Sequence, residues 1–429
     1  MVRVALALVA LVACDDAGDL AAGDGGSSGD AAGAADAAPD DVLPDPCAGM
    51  EPACPDPGAL AEGSGLAAID RCAFPMEDVG RWDAQDALVD ALAQEVPTVT
   101  VADVLGDLDR VAQPIDPGDL PGDVPEVDSA FAWQAGDMGV RYWIPQGITS
   151  SGDSAAGGRV DGKRVLLVSW YYDLDRDPGS PGDKGVRLAI VDATDPGDVR
   201  YRLVLLVEPR EVDGRASYAA VHIHAGGIAW VGDRLYVADT FHGFRVFDLS
   251  RILDVSSELD VIGYQDGVYH AHGYSYAVPQ VGAYEDVSAC VARFSFVALD
   301  RTTDPPSLLS GEYDATSVHG RLFRWPLAPS GRLQLFGDPP RVIASASWFS
   351  AQSHVQGALS QDDTFYLSSS KPAGAAGVLY RTAEDSPSAS FGWSDSPEDL
   401  SYDPTDGLLW SLSEGLNARY VFSVPLTAF

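Results

Sequence analysis

The histidines offer the first chemistry. His222-Ile223-His224 and His270-Ala271-His272 are His-x-His pairs. On a strand, residues i and i+2 share a face, so each pair can aim two imidazoles at one point. Imidazole suits zinc, manganese, iron and nickel, and a site takes three or four such donors. A divalent metal held by His222, His224, His272 and His354, with Glu398 or Asp399 beside it, is one expectation. The plainer one is that these imidazoles line a channel as hydrogen-bonding groups. Gln146, His224, His354, Gln356, Glu398 and Asp399 fall at comparable places in repeated units and are expected to converge on a ligand-binding mouth.

Asp173-Leu174-Asp175-Arg176-Asp177 sets acids at alternate positions in a turn-rich loop, as at the start of a calcium loop. Pro178 stands where an EF-hand has glycine and Lys184 where it has glutamate. That leaves a looser surface calcium site or a solvated acidic hairpin. Glycoside hydrolysis needs paired carboxylates across a channel. Only Glu398 and Asp399 supply acids at the repeated positions, which argues against it. The chain has no G-x-S-x-G elbow, phosphate loop or dinucleotide fingerprint. Trp348, Phe349 and Trp393 are candidates for an aromatic ligand platform, although most of the nine tryptophans are expected between packed sheets.

The elements that must position these groups are strands. From about residue 128 short apolar and aromatic runs alternate with Gly, Pro and Asp turns. A weak repeat emerges. Its clearest copy runs His224–Trp230, Arg234–Asp239 and Phe244–Leu249. An earlier copy uses Pro145–Thr149, Val165–Trp170, Val186–Ala193 and Tyr201–Val207. Later ones use His354–Leu359 with Thr364–Ser369 and Gly377–Arg381, then Glu398–Tyr402 with Leu408–Leu412 and Arg419–Val424. A divergent copy assigns Tyr274–Tyr284, Arg293–Leu299 and Arg321–Leu327 to one unit. Units too small to bury their own faces stack radially, and ring closure removes sheet edges. The fold expected is all-β: a β-propeller over residues 128–429, with five blades or, if insertions hide copies, six or seven. An irregular β-sandwich is the alternative. The last copy lacks an outer strand, which the segment around Phe131–Trp143 is expected to supply.

Before the propeller, residues 66–127 read as a small helical segment and a Pro-rich linker. Asp83 precedes apolar residues at helical spacing and Pro97 ends them. A second short helix is expected near 102–110. Residues 14–65 are small and acidic with few large apolar side chains, the composition of a disordered tether.

The runs Trp143-Ile144-Pro145-Gln146-Gly147-Ile148-Thr149, His224-Ala225-Gly226-Gly227, Gly320-Arg321-Leu322-Phe323-Arg324-Trp325-Pro326-Leu327 and Pro397-Glu398-Asp399-Leu400 are similar to those of an uncharacterised family of bacterial secreted proteins and lipoproteins with propeller-type repeats. Ile69-Asp70-Arg71-Cys72-Ala73-Phe74-Pro75 is similar too. The resemblance covers most of the chain from about Leu66. It implies export and a propeller-like fold and brings no catalytic residue.

Arg3 followed by an apolar run from Val4 to Ala13 has the layout of a signal peptide. The run is shorter than the about 20 residues that span a bilayer. Leu11-Val12-Ala13-Cys14 resembles a bacterial lipobox, which implies cleavage after residue 13 and acylation of Cys14. Several acyl chains anchor stably where one does not. The formal charge of -37, from 64 acidic and 27 basic residues, argues against nucleic acid and anionic headgroups as partners. Cys47, Cys54, Cys72 and Cys290 remain for disulfides in an exported protein. Four cysteines allow three connectivities, of which Cys47–Cys54 with Cys72–Cys290 is favoured. The reading is a cell-envelope lipoprotein, anchored on the periplasmic or surface face, whose propeller binds a small molecule or protein. The alternative is a metal-dependent lyase or oxygenase at the histidine mouth.

Overall fold

The computed structural model describes residues 41–154, 156–180, 182–371 and 376–429. The expected signal peptide, the expected lipidation site Cys14 and the first part of the expected tether lie outside them. The described chain is all-β and forms a propeller of five four-stranded antiparallel units, here blades one to five in chain order. Blade one is Trp143–Ser150, Val165–Tyr172, Val186–Asp192 and Arg200–Val212. Blade two is Ile228–Val231, Arg234–Asp239, Gly243–Asp248 and Tyr276–Asp286. Blade three is Phe296–Asp300, Ser307–Gly311, Arg321–Pro326 and Ala346–Phe349. Blade four is Val355–Gln361, Thr364–Ser369, Val378–Ala383 and Ser386–Gly392. Blade five is Pro397–Asp403, Leu408–Ser413 and Tyr420–Pro425, completed by Ser129–Ala132.

That last pairing, with Val421 opposite Phe131, closes the ring between the two ends of the body. The expected divergent unit is corrected. Tyr276–Asp286 is the outer strand of blade two, and it also runs parallel to the outer strand of blade one, with Leu205 opposite Ala277.

The first strands of successive blades pack on one another in cyclic order. Glycine permits this at Gly227, where an added Cβ would lie 2.4 Å from the Val297 amide, and at Gly357, where it would lie 2.6 Å from the Asp399 Cα. Five apolar clusters fill the gaps between adjacent blades. Trp133 packs edge-on against Trp170 and Tyr201 at 5.1 and 4.9 Å between blades five and one. Radial stacking thus buries the faces that no single sheet can bury. Trp348, Phe349 and Trp393 are buried in this packing, so they form no ligand platform.

Residues 41–127 do not form a separate body. They circle the propeller. Leu66 bridges Glu384 in blade four, and Ala67–Ala68 pairs with the edge of blade three. Met76–Asp78 adds to blade two, Arg110–Val111 to blade one and Gln113–Pro114 to blade five. Gly122 bridges Ser394, back at blade four. Short outer strands with unpaired edges are covered in this way.

α1, Trp82–Ala93, buries Trp82, Val89 and Leu92 inside the wrap. Its cap is Arg81 in a left-handed conformation. Asp83 lies in the first turn, where its charge favours the helix dipole, and does not cap it. The second helix shrinks to α2, Val101–Val104, with a Thr100/Asp103 capping box. The tether boundary at 65 moves back. Leu43 bridges Phe336, and disulfides join Cys47 to Cys72 and Cys54 to Cys290. The favoured cysteine pairing is therefore overturned: the strap lays Cys54 against the body and leaves Cys47 facing Cys72. Among the described residues no helix is long and apolar enough to cross a membrane.

Candidate functional site

The inner strands of blades one, four and five carry bulges at the same level. The register shifts between Pro145 and Ile148, between Val355 and Gly357, and between Pro397 and Leu400. A bulge leaves residues unpaired and re-aims their side chains, and bulges gather beside functional sites. Gly147 aside, the bulged residues here are Gln146, Gln356, Glu398 and Asp399. The repeated-unit reading of these four positions thus coincides with a shared backbone device.

Two amide–carboxyl pairs result. Gln146 Nε2 donates to Glu414 Oε2 at 2.9 Å and to the Pro145 carbonyl at 2.9 Å. Gln356 Nε2 donates to Glu398 Oε1 at 3.2 Å. Glu398 is 2% exposed. Burial pushes its carboxyl well above the usual carboxylate range, and the Glu414 and Asp399 charges push the same way. Glu414 is raised too, first by burial, against the opposing pull of Arg176, Gln146 and Arg419. Two carboxyls that repel one another in a recess favour states in which at least one keeps its proton. Such a pair presents an acid donor and a carboxylate acceptor in one recess.

Asp399 lies deeper. Its Oδ2 accepts from the amides of Ile148, at 3.1 Å, and Ile228, at 3.3 Å, so it ties blade five to blades one and two. Its other oxygen has no hydrogen-bond partner among the described residues. It is a strut of the ring and stands below the mouth.

His224 is exposed into the recess, and its ring lies over Tyr171 with centroids 4.2 Å apart. Desolvation within the recess, helped by Arg293, pulls its imidazole down to about 4, so it is neutral at pH 7. Tyr171 feels both Glu414 and Glu398, as does Tyr313. The phenols of both are raised, first by burial, and stay protonated donors. Every blade or its loops therefore contributes: Gln146 and Tyr171, His224, Tyr313, Gln356, and Glu398 with Glu414.

The four-histidine metal site is not formed. His222 Nδ1 pairs with Asp183 at 3.1 Å. His272 pairs with Asp260 beyond the hairpin Ile262–Gln265/Val268–Ala271, away from any inner strand. His354, with φ +58°, contacts Ser353 at 3.1 Å and Tyr313 edge-on. Among the described residues no three His, Cys, Asp or Glu side chains are placed to hold a metal. The donor set therefore does not fit one. The same holds for the expected calcium loop. Asp173 caps the turn Leu174–Arg176 and pairs with Arg176 at 2.7 Å, while Asp177 accepts from Tyr172.

Glu414, Tyr171 and Tyr313 escape a reading based on inner-strand starts. Glu414 follows the second strand of blade five, Tyr171 ends the second strand of blade one, and Tyr313 sits in a loop of blade three. The only sequence signal would have been their polarity just beyond strand ends.

No family model and no curated protein matches the chain. Among solved structures, a GH43_1 enzyme from Xanthomonas citri is similar at 9% identity and TM-score 0.31, covering 79% of this chain and 93% of that one. RS223-beta-xylosidase is similar at 10% identity and TM-score 0.30, covering 66% and 93%. CoXyl43, a GH43 beta-xylosidase/alpha-arabinofuranosidase from a compost microbial metagenome, solved with xylotriose in a calcium-free form, gives 13% identity and TM-score 0.30, covering 66% and 91%. At these values the likeness carries no argument about chemistry.

Proposed function

We propose that the channel mouth binds a small, neutral, polyhydroxylated molecule. The observation that carries this is the pair of carboxyls in one recess, buried Glu398 and half-buried Glu414, each capped by a glutamine amide and both held above the usual range. An acid, a carboxylate, amides and phenols together supply both donors and acceptors, which suits hydroxyl groups. The Tyr171–His224 rings offer a flat apolar face beside them, as a sugar ring requires. Among the described residues the metal-dependent alternative lacks a ligand set.

The test is calorimetric titration of the protein with xylotriose and with a panel of neutral sugars. Saturable binding of one of them, weakened at least tenfold in both Tyr171→Ala and Glu398→Ala, supports the reading. No binding across the panel, or binding unchanged in both variants, overturns it.

We further propose that the propeller is exported and held at a membrane by an acylated Cys14. Two disulfides suit an oxidising compartment. Fractionation after Cys14→Ala tests this: the variant should move from the membrane to the soluble fraction, and an unchanged distribution overturns the anchor.

A further inference from the structure

The inner strands run in one direction around the axis. Trp230 donates to Thr149, and Ser401 contacts Ser150, so their later residues lie level with one another. Beyond them, at the end opposite the mouth, opens a cavity of about 680 Å³. Val231, Leu299, Pro305, Leu327, Pro329 and Pro404 line it. A space of this size accommodates a drug-sized molecule. Three of the six are prolines, so much of the wall has little freedom to collapse.

One cation, Arg301, and two carboxylates, Asp153 and Asp304, enter this largely apolar lining. Arg301 follows the inner strand of blade three and donates through Nη1 to the Gly152 carbonyl. Its Nη1 lies 3.6 Å from Asp153 Oδ1, and its side chain is 36% exposed. Nε and Nη2 make no hydrogen bond among the described residues. Asp153 itself is held by Thr149, at 2.9 Å, and by Ser401, at 3.3 Å. A guanidinium edge with unused N–H groups matches a carboxylate in shape and charge. Asp153 and Asp304 both oppose added negative charge, so a monoanion fits better than a dianion such as a phosphate monoester.

We propose that this cavity binds a small amphiphilic monocarboxylate, with its apolar body against the proline and leucine walls and its carboxylate on Arg301. The site is distinct from the mouth and complementary to it. One end of the axis takes hydroxyl groups, and the other takes hydrocarbon with a single negative end.

The experiment is calorimetric titration of the full-length protein with octanoate and octanamide, both below micellar concentrations. The two probes share a tail and differ in charge. Octanoate should bind at least tenfold more tightly than octanamide. Arg301→Gln should erase that difference while sparing octanamide, and Arg301→Lys should restore part of it. Leu327→Trp, which fills the cavity, should weaken both probes at least tenfold. Glu398→Gln, at the mouth, should change neither. No saturable binding of either probe, equal affinity of the two in the unaltered protein, or a preference that survives Arg301→Gln overturns the proposal. The comparison of probes in the unaltered protein decides it even if a variant fails to fold.

Discussion

Gln146 and Glu414 meet through one hydrogen bond of 2.9 Å across 268 residues of sequence. It joins the bulge of the first inner strand to a loop of the last blade, and so spans the seam where the ring closes. Arg419 reinforces the same loop, its Nε donating to the Glu414 carbonyl at 3.2 Å. Gln146→Leu removes the amide and leaves a recessed carboxyl short of a donor. The expected cost is about 1–3 kcal/mol of stability, read as a lower urea midpoint with unchanged slope, together with weaker binding at the mouth.

Glu398 sets a pH dependence with a definite sign. Its folded-state carboxyl titrates above the unfolded value, because burial and then Glu414 and Asp399 disfavour its charge. Between the two values the folded protein holds the extra proton. The stability this gives is fully present below the unfolded pKa and is lost as pH rises through the folded one. Glu398→Gln keeps the shape and removes the titration. The difference in melting temperature between variant and parent should therefore shift in favour of the variant from pH 5 to pH 8. A difference independent of pH counts against a raised Glu398.

Asp153 offers the same measurement in a narrower window. Burial lifts it to about 6, against the opposing pull of Arg301 and its hydroxyl partners Thr149 and Ser401. At about 1.4 kcal/mol per pKa unit, a shift of roughly two units corresponds to about 3 kcal/mol. Relative to Asp153→Asn, the parent should lose stability between about pH 4 and pH 6 and no more above that. Urea titrations at four pH values in and above this window check it. Parallel curves for the two proteins would show that the carboxyl is not raised.

The two disulfides should differ in worth. Cys54–Cys290 closes a separation of 236 residues and Cys47–Cys72 one of 25. Chain-entropy scaling gives about 5.5 kcal/mol for the longer and about 3.5 for the shorter. Replacing Cys54 and Cys290 together by serine should lower the urea midpoint more than replacing Cys47 and Cys72. The reverse order would mean that the strap holds residual structure in the unfolded chain.

The blades were legible because three strands of most units carry apolar runs separated by turn residues, as in Ile228–Val231, Arg234–Asp239 and Gly243–Asp248. Fourth strands were harder. Ser386–Gly392 is Ser-Pro-Ser-Ala-Ser-Phe-Gly, which has no buried residue to mark it. Ala346–Phe349 follows a long excursion from its partner Arg321–Pro326. The mouth was half legible. Gln146, Gln356 and Glu398 repeat with the blades, whereas Glu414, Tyr171 and Tyr313 reach it from the far ends of other strands or from loops. His272 misled because a His-x-His pair looks the same on a peripheral hairpin as on an inner strand. The cysteine pairing was illegible for a similar reason. Spacing does not encode the path of a strap whose two- and three-residue strands, such as Ala67–Ala68 and Met76–Asp78, are too short to show a period.

That strap acts as a hoop. Between Leu66 and Gly122 it meets the rim of every blade and returns to the one where it began. Blades can splay only by stretching it. Beyond the Leu43 bridge, a pull arriving from the amino-terminal side meets covalent ties at Cys47, bonded to Cys72, and at Cys54, bonded to Cys290 in the connection between blades two and three. The load is thereby shared between the hoop at Cys72 and the wheel at Cys290. Tension on the leading end is thus taken up by covalent bonds before it reaches the strand pairs beyond Cys72.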